Sequence, residues 1–441
     1  MSEQDKDIKR QKAASGRSIR SMTEAVDEMK VYGDDEGASA KVRRSEKTPS
    51  AGGKKASGKK SKKRRKRWPM LVASIFGGKQ SGREWRIFGL RLTFWPLLIG
   101  VVAILMLGLM FLESRNLSVD QQTVTIVGLE SDLEGYKILQ LSDLNGKRFG
   151  DKQSTLLREI DTLDYDVVFI TGDMVGPGGD PKPFYELLEG LPSRKQVYFI
   201  AGDSDPGPYA ENARGESGVL SELVLADWIL GAIERGAIYV DAPMKIEVGS
   251  ASYWLSPATL LNLNASETAA TRKEQMEQEQ TGVVSGIQAD YATLPFTSYR
   301  YSAAQKLLAA TSEMQPTDLH IAMAHVPPAD DFIRSSDHGE EAGKYLTQPE
   351  LILAGHNCGG VWKLPLLGAF YVPDSTAPRY GWFPADEDVE GLSAIGESQM
   401  YISAGLSTTS DAPLMAFRFM NRPQVSVITL TATLPTSMLD K

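Results

Sequence analysis

The sequence predicts an α/β domain preceded by one transmembrane helix and a disordered basic tail. Three observations carry this expectation. Five short apolar runs in the C-terminal three-quarters each stop at an Asp or His beside a small residue, and helical sequences separate the first of them. A single 21-residue run without charge lies upstream of all five. Before that run the chain is polar, basic and without sustained periodicity.

Residues 1–67 are rich in Ser, Gly, Lys, Arg and Glu, and they bury too little apolar surface to offset chain entropy. They are expected to be a disordered basic cytoplasmic tail. The charge along the chain is steeply graded. Residues 1–70 hold 21 Lys and Arg against 10 Asp and Glu, whereas residues 121–441 hold 22 against 43. The net charge of −8 therefore describes neither end. The tail closes on a dense basic run, Lys59 to Arg67, followed by a juxtamembrane segment, 68–91, whose WPMLVASIF patch is too short to span a bilayer.

Leu92–Leu112 reads LTFWPLLIGVVAILMLGLMFL, bounded by Arg91 and Glu113. At about 1.5 Å per residue it matches a hydrocarbon core of roughly 30 Å, with Trp95 and Pro96 near its start. The basic excess before it predicts a cytoplasmic N-terminus and an extracytoplasmic C-terminal domain in the cell membrane, single-pass. The basic run then meets anionic membrane lipid. Nucleic acid is not expected as a partner, because no stacking aromatics interleave the basic residues. One cysteine in 441 residues excludes a disulfide framework and any zinc module of paired CxxC type.

The remaining domain is expected over 118–435. Its five apolar runs are YKILQLSD ending at Asp143, DVVFITGD at Asp173, QVYFIAGD at Asp203, HIAMAH at His325 and LILAGH at His356. Runs of this length rich in Val, Ile and aromatics read as buried strands. STLLREIDTL and PFYELLEGL between them fit helical crossovers. In such sheets ligands bind at the carboxyl ends of strands, so three carboxylates and two of the four histidines are expected to converge on one metal-capable site. The stretch 264–282, with TRKEQMEQEQTG at its centre, reads as the least ordered internal segment, an exposed charged insertion. His320 and His338 are expected to serve structural or surface roles, His338 lying in a polar stretch from which it can swing toward the site.

These strand ends, together with AGHNCGGVWKLPLLGAFYVPDS, MYISAGLSTTS and FRFMNRPQVSVITL, make the sequence resemble the calcineurin-like metallophosphoesterases, most of all their membrane-associated bacterial branch. The resemblance covers roughly 121–430. It implies a four-layer α/β/β/α sandwich, a centre of one or two divalent metal ions (Mn, Fe or Zn) and hydrolysis of phosphate mono- or diesters. The implied substrate is a phosphate-ester small molecule or a lipid head group.

Position by position, the family's Asp-x-His stands here as Asp143-Leu144-Asn145, and its Gly-Asp as Gly172-Asp173. Its Gly-Asn-His-Asp stands as Gly202-Asp203-Ser204-Asp205, its later lone His as His325, and its Gly-His-x-His as Gly355-His356-Asn357-Cys358. The resemblance implies one metal site of Asp173, Asp203, His325 and His356. A second, weaker site combines Asp143, Asn145 and Cys358 with Asp173, which bridges. Ser204 marks a degenerate catalytic position, since a hydroxyl does not act as a general acid near neutral pH. Replacement of histidine at 145, 204 and 358 leaves an alternative: a catalytically inactive protein on the same fold that binds a phosphorylated ligand or a protein partner.

Overall fold

A computed structural model describes residues 86–87, 90–91, 94–113, 116–210, 224–285, 294–341, 343–364, 366–372, 379–408 and 418–432. The expected tail and nearly all of the juxtamembrane segment lie outside the described residues. The uncharged run forms helix α1, Phe94–Glu113. Pro96 falls in its first turn, where a missing N–H costs no helical hydrogen bond. Among the described residues no helix is long and apolar enough to cross a membrane; within α1, Leu98, Ile99, Ile104, Leu105 and Leu107 are all exposed.

The domain that follows is mixed α/β. Its first sheet comprises β1 (Ser118–Thr125), β2 (Lys137–Leu141), β3 (Val167–Thr171), β4 (Gln196–Ile200) and β5 (Ala237–Tyr239), with helices α2 (Ser154–Ile160), α3 (Lys182–Gly190) and α4 (Asp227–Glu234) between them. The second comprises β6 (Met244–Val248), β7 (Ala251–Pro257), β8 (Leu319–Met323), β9 (Leu351–Ala354), β10 (Gly391–Ile395) and β11 (Ser398–Ile402). Helices α5 (Ala265–Ser285), α6 (Leu294–Glu313) and α7 (Asp330–Arg334) belong to this half. The last strand, β12 (Gln424–Thr431), returns to the first sheet between β1 and β2. The sheet orders are β1-β12-β2-β3-β4-β5 and β10-β11-β9-β8-β7-β6.

Alternation along the strands produces three cores. Ile138, Phe169, Tyr198 and Ile428 face Tyr253, Leu255, Ile321, Leu351 and Leu353 between the two sheets. Leu139, Val168, Val197 and Val427 point the other way, onto Leu156, Phe184, Leu187 and Trp228 of the helices. Trp254, Ala322, Ile352 and Met400 pack outward on Ala265, Leu307, Ala310 and Ile333. The layers therefore run helix, sheet, sheet, helix. Strands buried on both faces explain why β2, β3, β4, β8 and β9 appear in the sequence as unbroken apolar runs rather than alternating ones.

The segment at 264–282 departs from expectation: it is helical throughout most of its length, as part of α5, which packs along α6. Its outward face remains charged and exposed, with Lys273 and Glu277 paired at 3.7 Å. Helix formers one turn apart supply the local preference, and docking on α6 supplies the rest.

Register places the ends of the sandwich. Strands β2, β3 and β4 are parallel, and so are β7, β8, β9 and β11. β12 runs antiparallel to β2, pairing Ser426 with Gln140, so its start lies at the carboxyl end of β2. β1 runs parallel to β12 with Ser118 opposite Gln424. The chain thus enters the domain at the end where the five ligand-bearing strands finish.

His320, inside β8, is fully buried and does not approach those strand ends. Its ring nitrogens meet the Ser256 hydroxyl at 2.8 Å and the Thr347 carbonyl at 2.7 Å. Burial pushes its pKa down to about 4 from 6.5, against the opposing Thr347 hydrogen bond. Above pH 6.5 the ring is neutral folded or unfolded. Between 6.5 and 4 the unfolded chain takes up the proton first, so stability falls as pH falls, by about 3 kcal/mol in all. Urea unfolding of His320→Asn is expected to show a shallower loss over that window than the parent chain. Parallel curves for the two would contradict this account.

Candidate metal centre

The site forms where five strands stop. Asp143 follows β2, Asp173 follows β3, Asp203 follows β4, His325 follows β8 and His356 follows β9. Small residues let the loops close over one another. A side chain at Gly202 would overlap the Asp173 carboxylate and backbone, and one at Gly355 would overlap the Ser142 hydroxyl. A side chain at Gly405 would stand 2.6 Å from Asp143 Oδ2. Five non-glycine residues here, Asp143, Asn145, Asp173, His356 and Cys358, have φ between 50° and 70°. Each such left-handed conformation costs about 1–2 kcal/mol, and concentrated strain of this kind marks functional loops.

Hydrogen bonds hold the loops in register. Asp205 accepts from the backbone N–H of Val175, Gly176 and Gly202 at 2.7–2.9 Å, tying the loop after β3 to that after β4. Gln140 Nε2 donates to Thr171 Oγ1 and to the Ala354 carbonyl, which joins the two sheets directly beneath the site. Ser204 N–H donates to Asp173 Oδ1 at 2.9 Å. The His325 ring meets the Thr171 carbonyl through Nδ1 at 2.8 Å, which fixes the proton there and turns Nε2 toward the carboxylates.

Two ligand-capable groups result: Asp203 with His325 and His356, and Asp143 with Asp173 and His325. His325 Nε2 lies 2.9 Å from Asp203 Oδ1 and 3.3 Å from Asp173 Oδ2. His356 Nδ1 lies 3.4 Å from both Asp203 Oδ1 and His325 Nε2. Asp143 Oδ1 and Asp173 Oδ2 are buried and receive no hydrogen bond, and neither do the amide atoms of Asn145. Unfilled carboxylate oxygens beside an imidazole nitrogen aimed at them are a donor set that fits a divalent cation.

The electrostatics point the same way. Burial raises the Asp143 pKa, and the neighbouring Asp173 charge adds to that, against the pull of His325. Burial also opposes ionisation of Asp203, but hydrogen bonds from His325 and His356 outweigh it and hold this carboxyl far below the usual range. Burial disfavours charge on His325 and His356, yet their carboxylate partners raise both above the ordinary value. A cation at these positions would take over the charge that the imidazoles carry when protonated.

The grouping differs from the one the sequence suggested. His325 is shared by both groups, and Cys358 belongs to neither. The Cys358 thiol is buried against Asp143, and burial together with that carboxylate pushes its pKa well up. His338 does not reach the site either: its ring stacks on Tyr345, 3.7 Å between centroids, on the segment before β9. Of the residues expected to converge, Asp143, Asp173, Asp203, His325 and His356 come together, with Asn145 and Ser204 on the same loops.

The sequence reading did not single out Arg418 or Asn421. Arg418 is buried with its guanidinium on the carbonyls of Ala404 and Ser407. Asn421 donates to the Cys358 and Gly359 carbonyls, fixing the loop that carries His356. The only signal for either was an Arg and an Asn amid an apolar stretch, FRFMNRP.

Residues 136–359 match the description of the calcineurin-like phosphoesterases, a span that begins just before β2 and closes just after His356. The chain belongs to the calcineurin-like phosphoesterase family. No curated protein matches it. A solved structure titled as the phosphopantetheinyl hydrolase PptH from Mycobacterium tuberculosis aligns at 9% identity with a TM-score of 0.29, covering 65% of this chain and 96% of that one. Asn145, Ser204 and Cys358 all lie on the loops just described.

Proposed function

We propose that this protein is a membrane-anchored, metal-dependent phosphoesterase that hydrolyses phosphate mono- or diesters. The observation that carries the reading is the pair of buried carboxylate oxygens, on Asp143 and Asp173, left without donors beside His325 Nε2. Asp173, Asp203, His325 and His356 would hold the first ion, and Asp143 with the Asn145 carbonyl oxygen would complete a weaker second position shared with Asp173. When bound, such ions supply positive charge for the phosphate oxygens and lower the pKa of water. Asp205 and the Thr171 carbonyl keep the ligands in place, and Gly202 leaves room for the Asp173 carboxylate. With Ser204 at the usual histidine position, proton delivery to the leaving group is weak, which favours substrates with acidic leaving groups.

The anchoring part of the reading places α1 in the cell membrane, the basic tail on the cytoplasmic side against anionic lipid, and the domain outside. Its support is the uncharged stretch 92–112 and the basic excess before it. A second reading, an inactive fold relative that binds a phosphorylated ligand or a protein partner, is favoured by Asn145, Ser204 and Cys358 standing where histidines are usual. The assay that separates them uses the full chain in detergent with bis(p-nitrophenyl) phosphate. Hydrolysis is expected in added Mn²⁺, to vanish with EDTA and to return on re-addition of metal. Absence of hydrolysis under saturating metal favours the binding protein.

A further inference from the structure

Outside α1, eight large hydrophobic side chains are exposed among the described residues: Val127, Ile233, Leu366, Leu367, Tyr380, Trp382, Phe383 and Met420. Six of the eight lie within 366–383 or at Met420, which immediately precedes the return to β12. Such clustering is unlike the scattered exposure normal for a soluble surface. Leu366 and Leu367 lie at the turn of one short hairpin, Lys363–Leu364 with Gly368–Ala369. Trp382 belongs to the next, Tyr371–Val372 with Gly381–Trp382. Phe370 meets Trp382 and Phe383 edge to face, with ring centroids 5.1 Å and 5.4 Å apart.

These hairpins are held in place. Arg379 is buried, with its guanidinium on the Asp330 carboxylate and the Pro328 carbonyl, just beyond the His325 loop. Trp362 bridges to Phe419, and Lys363 pairs with Glu390. The hairpins follow directly from the His356 loop, so the apolar cluster lies at the catalytic end of the sandwich. Ser118 lies at that end as well, by its register with Gln424, and only residues 114–117 separate it from the last residue of α1. From Glu113 to Ser118 the chain reaches at most about 18 Å. The apolar helix and the apolar hairpins therefore meet the domain at one end.

We infer that Leu366, Leu367, Trp382 and Phe383 form a docking surface for the lipid bilayer that holds α1, so that the metal-bearing end of the domain faces the membrane. This rests on the anchored-phosphoesterase reading and narrows its substrate class to phosphate esters presented at a membrane surface. Aromatic and leucine side chains at a bilayer boundary place their apolar bodies among the acyl chains, as interfacial aromatics do. The far end of the domain has no comparable cluster among the described residues: Val127, after β1, and Ile233, in the last turn of α4, stand there on separate elements.

The test uses the full chain reconstituted in phosphatidylcholine–phosphatidylglycerol vesicles. An environment-sensitive dye is attached to Leu366→Cys or, as control, to Val127→Cys; native Cys358 is buried and not labelled. At position 366 the emission is expected to shift blue and to fall at least about twofold when spin-labelled lipid is included, with no change at 127. Equal responses at the two positions overturn the inference. Blue-shifted emission without lipid quenching overturns it too, because another protein surface then covers the hairpins. An alkaline wash of the vesicles separates the levels: release of the chain removes the anchoring reading and the docking with it, whereas a retained chain unquenched at 366 removes the docking alone.

Discussion

Replacing Asp173 by Asn is expected to empty the metal centre and to lower phosphodiester hydrolysis by well over about 100-fold, the loss typical of disturbing even an outer partner of a ligand. Asn is the informative substitution because Asp173 sits at φ 54°, a conformation that Asn tolerates and Ala does not. Its amide oxygen keeps the Ser204 N–H bond in place of Asp173 Oδ1. Only the negative charge that Asp173 brings to its ligand group with Asp143 and His325 is lost. Stability in chelator should therefore change by no more than about 1 kcal/mol, since removing one of two neighbouring buried carboxylates also relieves repulsion at Asp143. Elemental analysis and urea unfolding on the same preparation check both halves. Undiminished metal in a folded variant would remove Asp173 from the centre.

Ser204→His should act in the opposite direction. The backbone at 204 is anchored on Asp173, so an imidazole there emerges from the loop that carries Asp203 and Asp205. A general acid placed against a leaving group contributes about 10²–10⁴-fold. The gain is expected toward the lower bound, near 100-fold, and only for esters with poor leaving groups, because good ones need no proton. Comparing an alkyl and a nitrophenyl ester of the same phosphate reads this directly. An equal change for both esters would show that proton delivery is not what the position supplies.

The parts of this account that were legible in the sequence share one physical cause. Strands β2, β3, β4, β8 and β9 are buried on both faces, so their apolar runs are unbroken, and each must stop where a polar ligand begins. Five stops of the same kind were enough to assemble Asp143, Asp173, Asp203, His325 and His356. Less was visible where partners come from far along the chain. β1, SVDQQTVT, is polar at most positions and becomes a strand only because β12 returns some three hundred residues later to pair with it. The order of ligands was beyond a one-dimensional reading as well. Which carboxylates His325 serves depends on the Thr171 carbonyl orienting its ring. Cys358 follows the motif spacing, and its thiol is buried against Asp143. Helix α5 was obscured for a different reason: its exposed face carries charge at nearly every turn, and the contact that stabilises it lies on α6.

Every functional statement depends on the strand ends holding a divalent ion. The most direct test is metal content by elemental analysis of the full chain, purified in detergent after growth with Mn, Fe and Zn supplied. The account predicts one or two ions per chain, with binding that tightens as pH rises, because His325 and His356 must give up their protons to bind. A folded protein carrying no metal across that range would contradict it.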